Sequence, residues 1–263
     1  YLHENQVEAF FRQGLNGITN LHNRKEREIC LSYLCGFFCH YKFDHLAHPY
    51  IYGRTNFHVL SSDHSYYHRH FTLEHEIDRQ LLREYSGENL TEFNQSQTFR
   101  LSKKEKDVLS HFMAGTLKRT LGSLHPRNHI YFQPWFFRFL LVEGYLENRF
   151  LLDPYGHKKK IVQKLENCFF SYPLLSSKFV TDQCEKLDDI MNTRHEIWVN
   201  PWDKRIQSTE SFYDLYRKSC RECTQILNHM DVNKLFSKEI HISKKHREEI
   251  LERLGDFSYH SGL

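Results

Sequence analysis

One segment constrains the fold of this chain more than any other, because it is apolar around nearly its whole circumference. Between positions 25 and 48 the sequence predicts a helix that starts in the charged run KERE and ends before Pro49. A helix that is apolar on most sides has to be covered by other elements. Its second half nevertheless carries His40, Asp44 and His48 at four-residue steps. This spacing predicts one polar stripe along a buried helix.

Composition indicates that the rest of the chain is helical as well. The 263 residues include only 11 Gly and 6 Pro, and the chain has long charged and aromatic segments. We therefore expect an all-α, multi-helix bundle that forms a single domain over 1–263, with a metal-site core in about 1–150 and a helical extension in about 151–263. The very apolar stretch 130–146 is expected to be a buried helix. This stretch belongs to a predicted helix over 129–151. The other predicted helices cover 2–21, 66–86, 103–121, 158–168, 176–194, 209–229 and 243–254.

Charge and cysteine content narrow the classes of partner and compartment. The formal net charge of +3 is too small to favour a nucleic-acid partner, and no apolar run is long enough for a transmembrane segment. Seven Cys in a long chain favour reduced thiols and a cytoplasmic location over a disulfide framework. The single CxxC, Cys220 to Cys223, is interpreted as two thiols on a helix. The sequence leaves the oligomeric state open.

The polar stripe and a second pair, His70 and Glu74, together predict a metal site with nitrogen and oxygen ligands, for which zinc is the first candidate. His40 and His48 start about 12 Å apart along a helix axis, so one ion is not expected to take both. At least two ions solve this problem. His40 and Asp44 would hold one ion, while His48, His70 and Glu74 would hold the other, with Asp44 able to bridge.

Neighbouring residues refine this hypothesis. The second pair lies beside apolar residues of its own helix and is expected to face the core, whereas His75, Glu76 and Arg79 are expected to face water. Backwards from His40 the stripe continues through Gly36 and Ser32, whose small side chains would leave room beside the ligands. The alternative is that all these polar residues are satisfied core residues. Eight of the 19 His fall between positions 40 and 75, which favours the metal interpretation.

The stretch HYKFDHLAHPY followed by HxxxE resembles the zinc-dependent phospholipase C family, particularly its intracellular bacterial branch. The resemblance implies an all-helical fold of the phospholipase C and nuclease type, two or three zinc ions, and hydrolysis of a phosphodiester. It assigns metal ligation to the five positions named above and adds His3, in LHENQVEAFF. NPWD at 200–203 and SFYDLY at 211–216 also look like family features. The Asp44 to His48 spacing is shorter than in secreted members, and the acidic residue that would act as base has no match before His3.

The resemblance implies a mechanism in which metal-activated water attacks phosphorus. Asp44 and Glu74 would hold metals, and either could orient the water. Lys42 and Arg54 are candidates for binding phosphate. The alternative for each is a solvated surface role or a capping role. The substrate would be a phospholipid or a soluble phosphodiester.

Two other functions stay open at this point. One is a non-catalytic helical protein that its metals stabilise, and the other is a nuclease-like or different phosphohydrolase acting on a soluble substrate. A His-Asp phosphohydrolase is disfavoured, because no His in the chain is followed directly by Asp.

Overall fold

The structure, a computed structural model, describes residues 6–60, 64–229 and 244–263, apart from the side chains at positions 126, 128 and 229. Helix accounts for 64% and strand for 3% of it, which confirms the all-α, multi-helix class. Its α-helices are α1 (Val7–Thr19), α2 (Arg24–Arg54), α3 (Tyr66–Tyr85), α4 (Gln95–Thr98), α5 (Lys103–Leu121), α6 (Pro134–Leu151), α7 (His157–Glu166), α8 (Phe212–His229) and α9 (Lys244–Leu254). The two strands are β1 (Trp198–Val199) and β2 (Gln207–Ser208), which pair antiparallel.

Most helix boundaries agree with the sequence patterns, and two regions differ. The start of α5 is as predicted, because the Ser102 hydroxyl accepts from the Glu105 amide at 3.2 Å and the Glu105 carboxylate accepts from the Ser102 amide at 2.7 Å. Helix α2 does not stop at Pro49 but continues through it to Arg54. Proline removes one helical hydrogen bond, and the burial of the residues that follow it offsets that loss. The helix predicted over 176–194 is wrong, since this region holds a 3-10 turn at Leu175–Lys178 and then irregular backbone.

The chain divides into two compact units that alternate along the sequence. The first unit contains 1–46, 101–143 and 215–263, and the second contains 47–100 and 144–214. A single domain over 1–263, with a metal-site core in about 1–150 and a helical extension in about 151–263, stays a prediction.

Each unit has its own apolar core. In the first, α1, α2, α5 and the C-terminal segments bury an aliphatic and aromatic cluster in which the Phe11 and Phe38 rings stack at 4.3 Å. In the second, Tyr50 packs edge-on against Trp198 at 5.6 Å, and its hydroxyl donates to the Ile190 carbonyl at 2.6 Å. The last turns of α2 are thereby fixed to the irregular segment and the β-hairpin of the second unit.

Helix α6 differs from the sequence prediction of a buried helix, because none of its side chains is buried among the described residues. Trp135, Phe139 and Leu146 are all more than half exposed. The composition of the stretch correctly predicts a helix, but apolar composition does not reveal whether another element covers it. No helix among the described residues is both long enough and apolar enough to cross a membrane.

Buried His45 makes the stability of the first unit depend on pH. Its ring stacks on Phe257 at 5.1 Å, and its Nε2 atom is buried without a hydrogen-bond partner among the described residues. Burial, helped by the charges of Lys42 and Lys218, lowers the pKa of His45 to about 3. The folded protein therefore keeps His45 neutral, while the unfolded chain takes up a proton below its ordinary pKa of about 6.5.

We expect the His45 contribution to stability to be lost as the pH falls below about 6.5, and a His45→Phe variant to lack this loss. Between about pH 6.5 and about pH 5 the difference in unfolding free energy between wild type and variant should change by about 2 kcal/mol. Urea unfolding at several pH values measures it, and the other histidines cancel in the comparison. Parallel pH profiles of the two proteins would contradict the prediction.

Two glycines of α2 should respond in opposite directions to alanine. A Cβ atom on Gly53 would lie 2.7 Å from the Val199 carbonyl oxygen of β1, whereas a Cβ on Gly36 would meet nothing within 4 Å. Gly36→Ala should therefore stabilise the protein by about 1 kcal/mol, as expected for an open helical position. Gly53→Ala should destabilise it by about 1–3 kcal/mol, because the hairpin has to move away. Thermal and urea unfolding test both, and a stabilised Gly53→Ala would show that this close approach is unimportant.

Candidate metal centre

Three side chains of the second unit come together in a way that could hold a metal ion: His48 from α2, and His70 and Glu74 from α3. One ligand atom from each lies within 4.8 Å of the others. The Glu74 Oε1 atom is 3.0 Å from His70 Nε2 and 3.8 Å from His48 Nε2. No other group of three His, Cys, Asp or Glu side chains meets this criterion in the described part of the chain. Three of the predicted ligands are thus brought together.

Local helix geometry places two of the three ligands. His70, Leu73, Glu74 and Ile77 are spaced to share one face of α3, and Leu73 and Ile77 are buried. Burying these two residues turns the His70 and Glu74 side chains inward with them. The Arg69 Nε atom donates to the Thr55 carbonyl oxygen at 2.7 Å, which ties the start of α3 to the end of α2.

The opposite side of α3 is held by a buried ion pair, where the sequence predicts solvent. Glu76 and Arg79 are both buried, with Glu76 Oε2 at 3.1 Å from Arg79 Nε. Glu76 also accepts hydrogen bonds from the Glu185 amide and the Cys184 thiol, each at 3.1 Å. Arg79 donates to the Thr181 carbonyl at 2.7 Å. The prediction fails because the covering segment lies about a hundred residues away in sequence, beyond the reach of helix periodicity.

The charge state of Glu74 suits a cation. Burial by itself would raise the pKa of this carboxyl, but the hydrogen bond from His70 and the positive charges of His70 and His48 outweigh burial and hold the pKa below its usual value. Glu74 is therefore ionised at neutral pH. Its side chain is 33% exposed, so one side of the group of three ligands is open to solvent.

Aromatic side chains lie near the two histidine ligands, and the sequence patterns do not predict them. The Tyr52 ring lies 4.7 Å from the His70 ring and 5.7 Å from the His48 ring. Trp202 packs against Tyr52 at 5.0 Å and against Phe57 at 4.9 Å. Trp202 belongs to NPWD, whose Asn200 side chain accepts from the Trp202 amide at 2.9 Å and shapes the loop. The motif is visible in the sequence, but its position beside Tyr52 is not.

The arrangement fits a divalent ion with three protein ligands. Tetrahedral zinc with bonds of 2.0–2.2 Å places its ligand atoms about 3.4 Å apart, and the separations of 3.0 and 3.8 Å from Glu74 lie on either side of this value. Two imidazoles with one carboxylate bind Zn²⁺ and also Fe²⁺. One feature fits less well: His70 Nδ1 is buried with no hydrogen-bond partner among the described residues, whereas a ligating histidine usually donates from its second nitrogen.

His40 and Asp44 form a separate pair in the first unit, with Nε2 and Oδ2 3.2 Å apart. Asp44 is partly buried, but the His40 side chain is 54% exposed. Ser32 and Gly36 are exposed too. The small residues of the stripe therefore mark the solvent side of α2 instead of leaving room beside ligands in a core. The remaining predicted ligand, His3, lies outside the described residues.

Lys42, a predicted phosphate-binding residue, is buried in the first unit. Its Nζ atom lies 3.0 Å from the Glu222 carboxylate and donates to the Leu254 carbonyl at 3.2 Å. The ammonium group also lies 5.9 Å from the centre of the Phe257 ring. These contacts favour a packing role for Lys42 over contact with a substrate.

Arg54, the other predicted phosphate-binding residue, ends α2 in the second unit. Its Nη2 atom donates to the carbonyl oxygens of Asp188 and Asp189, at 3.2 and 2.9 Å. The residue also lines a cavity of about 210 Å³ together with Arg69 and His68. The carbonyl contacts agree with the capping role, and substrate binding by Arg54 stays a prediction.

Comparisons of the chain with protein-family profiles, curated proteins and solved structures find no significant match. The likeness to the zinc-dependent phospholipase C family therefore rests on the residues quoted for it. No family is assigned.

Replacing His70 with Ala should weaken zinc binding by about 100-fold or more, because loss of a ligand costs at least as much as loss of a supporting residue. Competition with a chromogenic chelator measures the affinity. His64→Ala is the matched control, since His64 is exposed in the same unit. Wild-type affinity should also fall on acidification, because an imidazole binds a metal only in its neutral form. Equal affinities of wild type and His70→Ala would contradict this assignment.

Proposed function

We propose that the chain is a metal-dependent phosphodiester hydrolase and that His48, His70 and Glu74 bind one of its ions, with zinc as the first candidate. The observation that carries the metal part of the proposal is the convergence of these three ligand atoms within 4.8 Å. His48 is 22 positions from His70 and 26 positions from Glu74 in the sequence. Helix periodicity alone therefore cannot bring the three residues together. Structural sites usually use four protein ligands, whereas three leave a position for water or substrate.

The side chains around the ion would have distinct roles. His48 and His70 would bind as neutral imidazoles, and the Glu74 carboxylate would offset part of the ion's charge. The Tyr52 and Trp202 rings would keep water from one side and leave the exposed Glu74 side for entry of a phosphodiester. When bound, the metal supplies Lewis acidity to the phosphoryl group and lowers the pKa of water.

A second ion is proposed at His40 and Asp44. This pair supplies one nitrogen and one oxygen ligand at 3.2 Å, too few for a site by themselves. The resemblance supplies the third ligand, His3. In this scheme Asp44 and Glu74 each hold a metal, and either orients the attacking water.

Hydrolysis of a phosphodiester is proposed from the resemblance, and this part of the proposal covers phospholipids and soluble diesters alike. Both present the same reacting group, a phosphorus atom with one negative charge shared over its oxygens. A cation in a site that is open to solvent on one side and lined by aromatic rings would bind the phosphodiester group of either kind of substrate.

The test is turnover of bis(p-nitrophenyl) phosphate by purified protein with its metal content measured in parallel. Turnover should disappear with a chelator and return with zinc. Glu74→Gln should lower both kcat and metal content, kcat by about 100-fold, because the variant removes a charged ligand. Glu84→Gln is the matched control, since Glu84 is an exposed carboxylate on the same helix.

The outcomes separate the parts of the proposal. Bound metal without turnover of any phosphodiester, in a panel of phospholipid vesicles, soluble diesters and single-stranded oligonucleotide, would favour the non-catalytic, metal-stabilised alternative. Full metal content and full activity in Asp44→Asn would remove Asp44 from the scheme. Absence of bound metal in wild-type protein would overturn the proposal as a whole.

A further inference from the structure

Four of the seven cysteines lie together where α2 meets α8 in the first unit. Cys35 and Cys39 are one turn apart on α2, and Cys220 and Cys223 are one turn apart on α8. We call these four residues the thiol cluster. All of them are free thiols in the structure. The sequence shows only the CxxC half of the cluster, because the α2 half has a different spacing.

Within the thiol cluster one pair is in direct contact. The Cys223 thiol donates to the Cys39 carbonyl oxygen at 3.8 Å and lies 3.9 Å from the Ser219 hydroxyl. Cys35 and Cys220 each lie one helical turn from a member of this pair. The two cysteines in contact are 184 positions apart in the sequence.

This geometry distinguishes a dithiol from a metal site. Zinc–sulfur bonds near 2.3 Å put the four sulfurs of a tetrathiolate site about 3.8 Å apart. No three thiols of the cluster have their sulfur atoms within 4.8 Å of one another. The cluster therefore has one contacting pair of cysteines with two further thiols one turn away, which favours a disulfide over a metal site.

The exposure of the thiol cluster permits a small molecule in solution to react with Cys39 and Cys223. Cys39 and Cys223 are half-buried and Cys220 is exposed, whereas Cys30, on the same helix as Cys39, is buried in the apolar core. A small oxidant in solution can thus reach the cluster from the Cys220 side.

We propose that Cys39 and Cys223 form a reversible disulfide by exchange with a low-molecular-weight disulfide, which links α2 covalently to α8. One cysteine loses its proton to water and its thiolate attacks a sulfur of the small disulfide; the first small thiolate leaves and takes up a proton from water, as the second does later. The second cysteine loses its proton to water and attacks the mixed disulfide. The Sγ–Sγ bond forms and the second small thiol leaves. Two electrons pass from the protein dithiol to the small disulfide, so the exchange is balanced and reversible.

The link would have a measurable effect on stability. It closes a loop of 184 residues. Crosslinks over long loops restrict the unfolded chain most, which raises the resistance of the folded state to unfolding. The oxidised protein should therefore unfold at higher urea concentration than the reduced protein.

The experiment uses the full chain with oxidised glutathione as the probe, followed by alkylation of the remaining thiols. Intact mass should show the loss of two hydrogens per chain, and peptide mapping without reductant should recover one crosslinked product joining Cys39 and Cys223. Dithiothreitol should reverse both. Cys168→Ser is the matched control and should behave as wild type, because Cys168 is exposed and lies in the second unit.

Two variants test the pair. Cys223→Ser and Cys39→Ser should each form no crosslink, and in each variant the remaining cysteine of the pair should hold one glutathione. Circular dichroism checks that both variants fold, and the wild-type peptide map decides the question if they do not. A Cys220–Cys223 or Cys35–Cys39 crosslink in wild type, or glutathione held without any crosslink, would overturn the proposal.

Discussion

The buried ion pair of Glu76 and Arg79 is the interaction on which the candidate site depends most. It attaches α3 to the segment 181–185 through three backbone partners and a thiol. Removing one member of such a pair leaves an uncompensated buried charge, at a cost of about 3–5 kcal/mol. The face of α3 that carries His70 and Glu74 is oriented by the attachment of its opposite face. Glu76 and Arg79, which the sequence predicts to face water, therefore form a buried pair that holds the structure together.

Two of the metal ligands are neighbours on one helix, and the third comes from a different helix. His70 and Glu74 are neighbours on α3 by helix geometry alone, and their 3.0 Å contact forms without help from the rest of the protein. His48 joins them because α2 continues past Pro49 and its last turns are fixed by the Tyr50 and Gly53 contacts of the second unit. An ion would gain a partly preformed site, since one ligand atom of each residue already lies within 4.8 Å of the others.

Helix α2 shows why a stripe of polar residues is ambiguous. His40 is more than half exposed, whereas the His48 side chain is 17% exposed. Equal four-residue steps along one helix thus place chemically similar residues in different surroundings. The same helix carries Cys39, which contacts α8, so the function of each position depends on the element that lies against it.

Much of the fold could be predicted from the sequence, because helix formation depends on local patterns. The scarcity of glycine and proline predicts the all-α class, and Ser102 predicts the start of α5 through a capping box that the structure contains. The failures at Pro49, at 176–194 and in the exposure of α6 share a cause. In each case the outcome depends on which distant segment covers the backbone or the apolar face.

For the candidate site, the sequence by itself determined the residue types and the helical spacing that make His40, His48, His70, Asp44 and Glu74 possible ligands. Only the tertiary structure decided that His48, His70 and Glu74 converge, that Lys42 is buried in an ion pair, and that Trp202 lies beside Tyr52. The physical reason is the range of the forces involved. Helix periodicity acts over one or two turns, whereas convergence of ligands depends on burial and on hydrogen bonds between segments that only folding brings together.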